Sequence, residues 1–133
     1  MIAVDTNILV RFLVRDDEQQ AQSVYQRFKQ AERDQQSLRV PILVVLELIW
    51  VLESAYEMTR AQILTAIESL QCLAILRFSQ QQGIEQFVHV ARHNTIDLSD
   101  LLIAHSAQAE GCDQVLTFDK KAAKSPLFSL LQS

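Results

Sequence analysis

Short apolar runs alternate with longer amphipathic stretches along this chain, and that alternation predicts its elements. Residues 2–4, Ile-Ala-Val, read as a short buried strand. A helix is expected over residues 8–15, with Thr6 or Asn7 as its cap. Asp16, Asp17 and Glu18 then place negative charge at the start of a second helix, running to about residue 36. Its apolar positions Ala21, Val24, Tyr25 and Phe28 have helical spacing, and its glutamines and charges form a solvated face. Residues 38–40 make a second strand. Pro41 suits the first turn of a third helix and holds Val40 extended before it. That helix, residues 42–56, is apolar on nearly every side, so burial is expected all round. Thr59 caps a helix over residues 59–70, residues 73–78 form a third strand, and Ser79 caps a helix reaching residue 93. Asp97 opens a helix that stops near Gly111. Residues 114–117 form a fourth strand, Asp119 opens a short basic turn over residues 120–124, and residues 127–131 are a terminal apolar segment beyond Pro126.

Strands alternating with helices argue for an α/β fold with a parallel sheet and helices on both faces. In such folds ligands bind outside the carboxyl ends of the strands. Asp5 and Asp119 both fall there. The length of 133 residues fits a single domain, residues 1–133, large enough to fold without staples. No repeat, linker or low-complexity tract interrupts it.

Composition narrows the chemistry. Only two glycines are present, Gly83 and Gly111, so glycine-rich phosphate loops and the G-x-S-x-G elbow are excluded. The two cysteines, Cys72 and Cys112, give neither a disulfide framework nor a zinc spacing, and a reduced, cytoplasmic setting is expected. The start of the chain lacks the pattern of a signal peptide, and the longest apolar stretch is too short for a membrane span. A net charge of −4 offers no general coat for nucleic acid, although the local field at a site matters more than the sum.

Four carboxylates stand out: Asp5, Glu47, Asp100 and Asp119. Together they suit Mg²⁺ or Mn²⁺, which prefer carboxylate and water oxygens. Each has a plainer alternative. Asp5 and Asp119 can be helix caps, and Asp100 lies three residues after Asp97, a spacing like a capping box. Glu47 is the exception, because it interrupts the apolar run PILVVLELIW, where a cap explains nothing and an unpaired buried charge is expensive. A polar cleft or a metal fits it better than a buried arginine partner. His89 and His93 have i, i+4 spacing but lack the H-E-x-x-H pattern, so a surface pair is the reading for them. His105 reads as a packing histidine, with a supporting role near Asp100 left open. Lys120, Lys121 and Lys124 are either a solvated turn or phosphate contacts beside Asp119.

The motifs VDTNIL, LELIWVL, LSDLLIAHSA and VLTFDKK, in this order across the whole chain, resemble the PIN-domain family, and within it the VapC-like ribonuclease toxins. The resemblance implies a three-layer α/β/α sandwich with a short-stranded parallel sheet. It implies a metal-dependent endoribonuclease in which Asp5, Glu47, Asp100 and Asp119 hold Mg²⁺ or Mn²⁺, supported by Asn7 and Thr117, with Lys120 and Lys121 near the substrate phosphate. RNA as substrate, a small antitoxin as partner and a homodimer follow from the same resemblance. A phosphatase built on D-x-D is disfavoured, since this chain has D-T-N, and so is a receiver-type domain, which wants paired acids after the first strand where this chain places its second acid within a helix. A processing nuclease outside toxin–antitoxin pairs, and a PIN-like module that only docks a partner, stay as alternatives.

Overall fold

The computed structural model describes residues 1–132 and contains six helices and five short strands, each strand parallel to its neighbours in two open sheets. The chain divides into two compact units, residues 1–79 and residues 80–133.

The first unit holds β1 (Ile2–Ala3), α1 (Thr6–Leu13), α2 (Glu18–Arg33), β2 (Leu38–Val40), α3 (Ile42–Ser54), α4 (Arg60–Gln71) and β3 (Leu76–Phe78). Its sheet has the order β1-β2-β3, with Ile2 opposite Leu38 and Leu38 opposite Leu76. Each helix start has a local cause. Asp5 sits in extended backbone and accepts the Thr6 N–H, so α1 begins two residues earlier than expected and Thr6 lies inside it. Asp17 caps α2, and Thr59 with Gln62 forms a reciprocal capping box on α4. The core is Leu9 and Val10 of α1, Leu38 and Val40 of β2, and the inner faces of α3 and α4. Phe28 of α2 meets Phe12 of α1 with ring centroids 5.2 Å apart. Helix α3 is not buried all round. Leu43 (73% exposed), Glu47 and Trp50 (65%) lie at i, i+4 and i+7 on one outward face. A uniformly apolar helix shows its buried side only through what packs on it.

The second unit holds α5 (Gln81–Ala91), α6 (Leu98–Ala109), β4 (Val115–Thr117), a 3-10 turn (Ala122–Lys124) and β5 (Phe128–Leu130). Strands β4 and β5 pair in parallel, with Val115 opposite Phe128. The terminal apolar segment is therefore a strand. Helices α5 and α6 bury Ile84, Phe87, Val88, Leu101 and Leu102. Ser79 does not cap α5. Gln80 occupies that place in left-handed backbone (φ 59°) without a side-chain cap. Helix α6 ends as expected: Gly111 (φ 92°) lets its own N–H reach Gln108 O and the Cys112 N–H reach Ala107 O. Cys72, at the end of α4, and Cys112, just past α6, are exposed free thiols. Among the described residues no helix is long and apolar enough to cross a membrane.

Candidate acidic site

In the first unit the acids gather on Thr6. Strand β1 delivers Asp5 to the head of α1, where its Oδ1 accepts the Thr6 N–H at 2.7 Å. The next side chain, Thr6, is buried, and its hydroxyl donates to Glu47 Oε1 on α3. One residue thus links the carboxylate that caps α1 to the carboxylate on α3. The sequence reading treated Thr6 only as a cap. The signal available was a polar side chain in the third place of VDTNIL, on the side that the helical period turns inward with Leu9 and Val10. Glu47 is exposed, which corrects the expectation that it interrupts a buried helix face. Asn7 is exposed in the first turn of α1.

In the second unit Asp97 Oδ1 accepts the N–H groups of Ser99 (2.8 Å) and Asp100 (3.4 Å), so Asp97 supplies the cap of α6. Asp100 follows one turn in and is half-buried. Burial first, and then the negative charges of Asp97 and Asp119, raise its carboxyl pKa above the ordinary value. At the end of β4, Thr117 Oγ1 accepts the Asp119 N–H at 3.0 Å. Asp119 Oδ1 in turn accepts the N–H groups of Lys121 (2.9 Å) and Ala122 (3.3 Å). Thr117 therefore orients Asp119, and Asp119 starts the turn that carries Lys121. Lys120 and Lys121 are exposed on it.

The capping alternatives for Asp5 and Asp119 are realised, yet capping engages one oxygen of each carboxylate in these bonds. The ion pairs Arg11–Asp16 and Arg15–Glu18 touch none of these acids. No group of three or more His, Cys, Asp or Glu side chains gathers as a metal cluster among the described residues. The donors are all hard oxygens, and Mg²⁺ characteristically takes one or two carboxylates and keeps its waters, so the donor chemistry fits such an ion. His89 and His93 form an edge-to-face ring pair on the exposed side of the unit, 5.3 Å between centroids.

Residues 2–126 match the PIN-domain family. The chain belongs to the PIN-domain family. Its fold is the α/β sandwich class with short parallel strands that the motifs implied. A relative in Aquifex aeolicus (strain VF5), named VapC ribonuclease, is 23% identical over 124 residues, covering 93% of this chain and 91% of the relative. The PIN match takes in all four acids and Thr6, Thr117 and Lys121.

Proposed function

We propose that this PIN domain is a single-domain, metal-dependent endoribonuclease and the toxin of a toxin–antitoxin pair. The observation that carries the reading is the family match across residues 2–126, in a chain that keeps an acid at each of the four motif positions. The full-length likeness to a VapC ribonuclease supports RNA as the substrate.

Asp5, Glu47, Asp100 and Asp119 are the residues that would hold Mg²⁺ or Mn²⁺. Such an ion supplies Lewis acidity and a water acidic enough to act as nucleophile near neutral pH. The protein's part is positioning. Thr6 restrains Glu47, and Thr117 restrains Asp119. Asp5 accepts one backbone N–H and Asp119 accepts two, which orients each carboxylate. Asp97 and Asp119 keep the field at Asp100 negative, which favours cation binding. Lys120 and Lys121 offset charge on the phosphate of the RNA.

An antitoxin segment fits the apolar depression of about 690 Å³ lined by Leu13, Val14, Tyr56, Met58, Ala61 and Ala66. Homodimerisation completes the proposed assembly, and the free thiols suit the cytoplasm. The test is cleavage of total RNA with Mn²⁺ by wild type, Asp5→Asn and Asp100→Asn. Both variants are expected to fold normally and to lose cutting. Cutting at wild-type rate by either one overturns the assignment, and monomers at tens of micromolar overturn the dimer.

A further inference from the structure

The second unit contains a cavity of about 600 Å³, within the roughly 300–1,000 Å³ range of small-ligand sites. Three groups of side chains shape it. Val90, Ile96 and Leu127 give it an apolar lining. Gln86 and Gln108 place two amides on its wall, and Lys121 and Lys124 supply its positive charge. Neither lysine has an ion-pair partner among the described residues.

One wall is His105. The residue is 5% exposed, and its Nε2 has no hydrogen-bond partner among the described residues. Phe87 packs its ring edge-to-face at 6.2 Å, and burial lowers the His105 pKa, so the wall is a flat imidazole that resists protonation. The same ring, with Gln86 and Gln108, also lines the neighbouring depression next to Gly83. A buried ring nitrogen without a partner is a standing cost, and packing alone does not call for a histidine there.

The combination is specific in its chemistry. An apolar slot suits the face of an aromatic heterocycle, amides read a heterocycle's edge, and paired lysines suit a phosphate. The cation side is also tied to the acidic site. Asp119 holds the N–H of Lys121, so the two residues' backbones lie within about 7 Å of each other, and the Lys121 side chain starts next to the acid. We propose that this cavity seats one nucleobase of the RNA and sets the base preference at one position beside the cut. The inference rests on the nuclease reading for its meaning, and a binding measurement tests it separately.

The binding arm titrates the full chain, in EDTA so that nothing is cut, with the four nucleoside 5′-monophosphates, ribose 5-phosphate and inorganic phosphate. Binding is followed by the ring signals of His105. One nucleotide is expected to bind about tenfold or more tightly than ribose 5-phosphate, the scale of one good pair of base-edge hydrogen bonds. Gln108→Trp, which fills the cavity, should abolish this binding, and Gln86→Ala should weaken it. Both variants are first checked for a wild-type amide spectrum. The cleavage arm sequences the ends produced from a random RNA pool. Gln86→Ala is expected to flatten the base preference at one position by about fivefold or more.

Equal binding of inorganic phosphate and nucleotides overturns the proposal in favour of a plain anion site. So does a cavity that takes only a peptide of the partner protein. Wild-type preference in Gln86→Ala together with unselective nucleotide binding also overturns it. Selective nucleotide binding by a protein that cuts no RNA supports the base site and removes the nuclease reading. RNA cutting without nucleotide selection does the reverse.

Discussion

Thr6 is the residue on which the acids of the first unit depend. Its buried hydroxyl donates to an exposed carboxylate, so replacing the hydroxyl with a methyl group frees Glu47. Thr6→Val is expected to cost roughly 1–2 kcal/mol in chemical denaturation and to lower RNA cleavage about tenfold or more, with Thr6→Ser restoring most of both. Unchanged cleavage by Thr6→Val would show that Glu47 needs no such restraint. Asp100 gives a second expectation, through charge. Its raised pKa means that the folded state binds the proton more tightly than the unfolded chain. The carboxyl therefore favours folding while protonated, and this contribution is lost as pH rises through the raised value. At pH 7 and without metal, Asp100→Asn should melt at or above the wild-type temperature, and a clearly lower melting point refutes the repulsion. His105 works in the opposite sense. Its folded pKa lies below the ordinary 6.5, so the unfolded chain takes up the proton first as pH falls. Wild type should lose stability from about pH 6.5 downward. Comparing denaturation at pH 7.5 and 5.5 with His105→Leu checks this, since the variant's loss should be smaller.

At the scale of elements, the ends of helices carry much of the local specification. Gly111 adopts a φ of 92°, with open space where a Cβ would go, so the obstacle to a side chain is conformational. Gly111→Ala is expected to destabilise the second unit by about 1 kcal/mol through the end of α6, read as a lower midpoint with an unchanged slope. Such ends were legible in the sequence. Asp97, Thr59 and Gly111 stand where predicted, and Leu38–Val40 was bounded to the residue because Pro41 forces its stop. Other features were hidden for physical reasons. Helix α3 has almost no polar stripe, so nothing in its pattern indicated that Leu43, Glu47 and Trp50 face outward. Four apolar residues and Ser129 over residues 127–131 fit a strand or a tail equally, and pairing with β4 decides for β5. Gln80 in left-handed backbone, where Ser79 looked the better cap, follows from the path of the chain after β3 rather than from propensity. The positions of the acids could be read, but the hydrogen bonds from Thr6 and Thr117 that hold them required the fold.

For the whole molecule, the metal reading has a thermodynamic signature. A cation that binds only the folded chain stabilises it by about 2.7 kcal/mol at a hundredfold excess over its dissociation constant. Mn²⁺ should therefore raise the melting temperature in a dose-dependent way, and EDTA should reverse it. Glu47→Gln should lose most of that response together with cleavage. A full Mn²⁺ response in this variant removes Glu47 from the ligand set. The division into two units also gives the free thiols a practical value. Cys72 belongs to the first and Cys112 to the second, and both are open to solvent. The natural chain thus offers one attachment point per unit for a dye or spin label. Energy transfer or dipolar spectroscopy can follow the spacing of the units as cation, RNA or partner is added, without a single engineered residue.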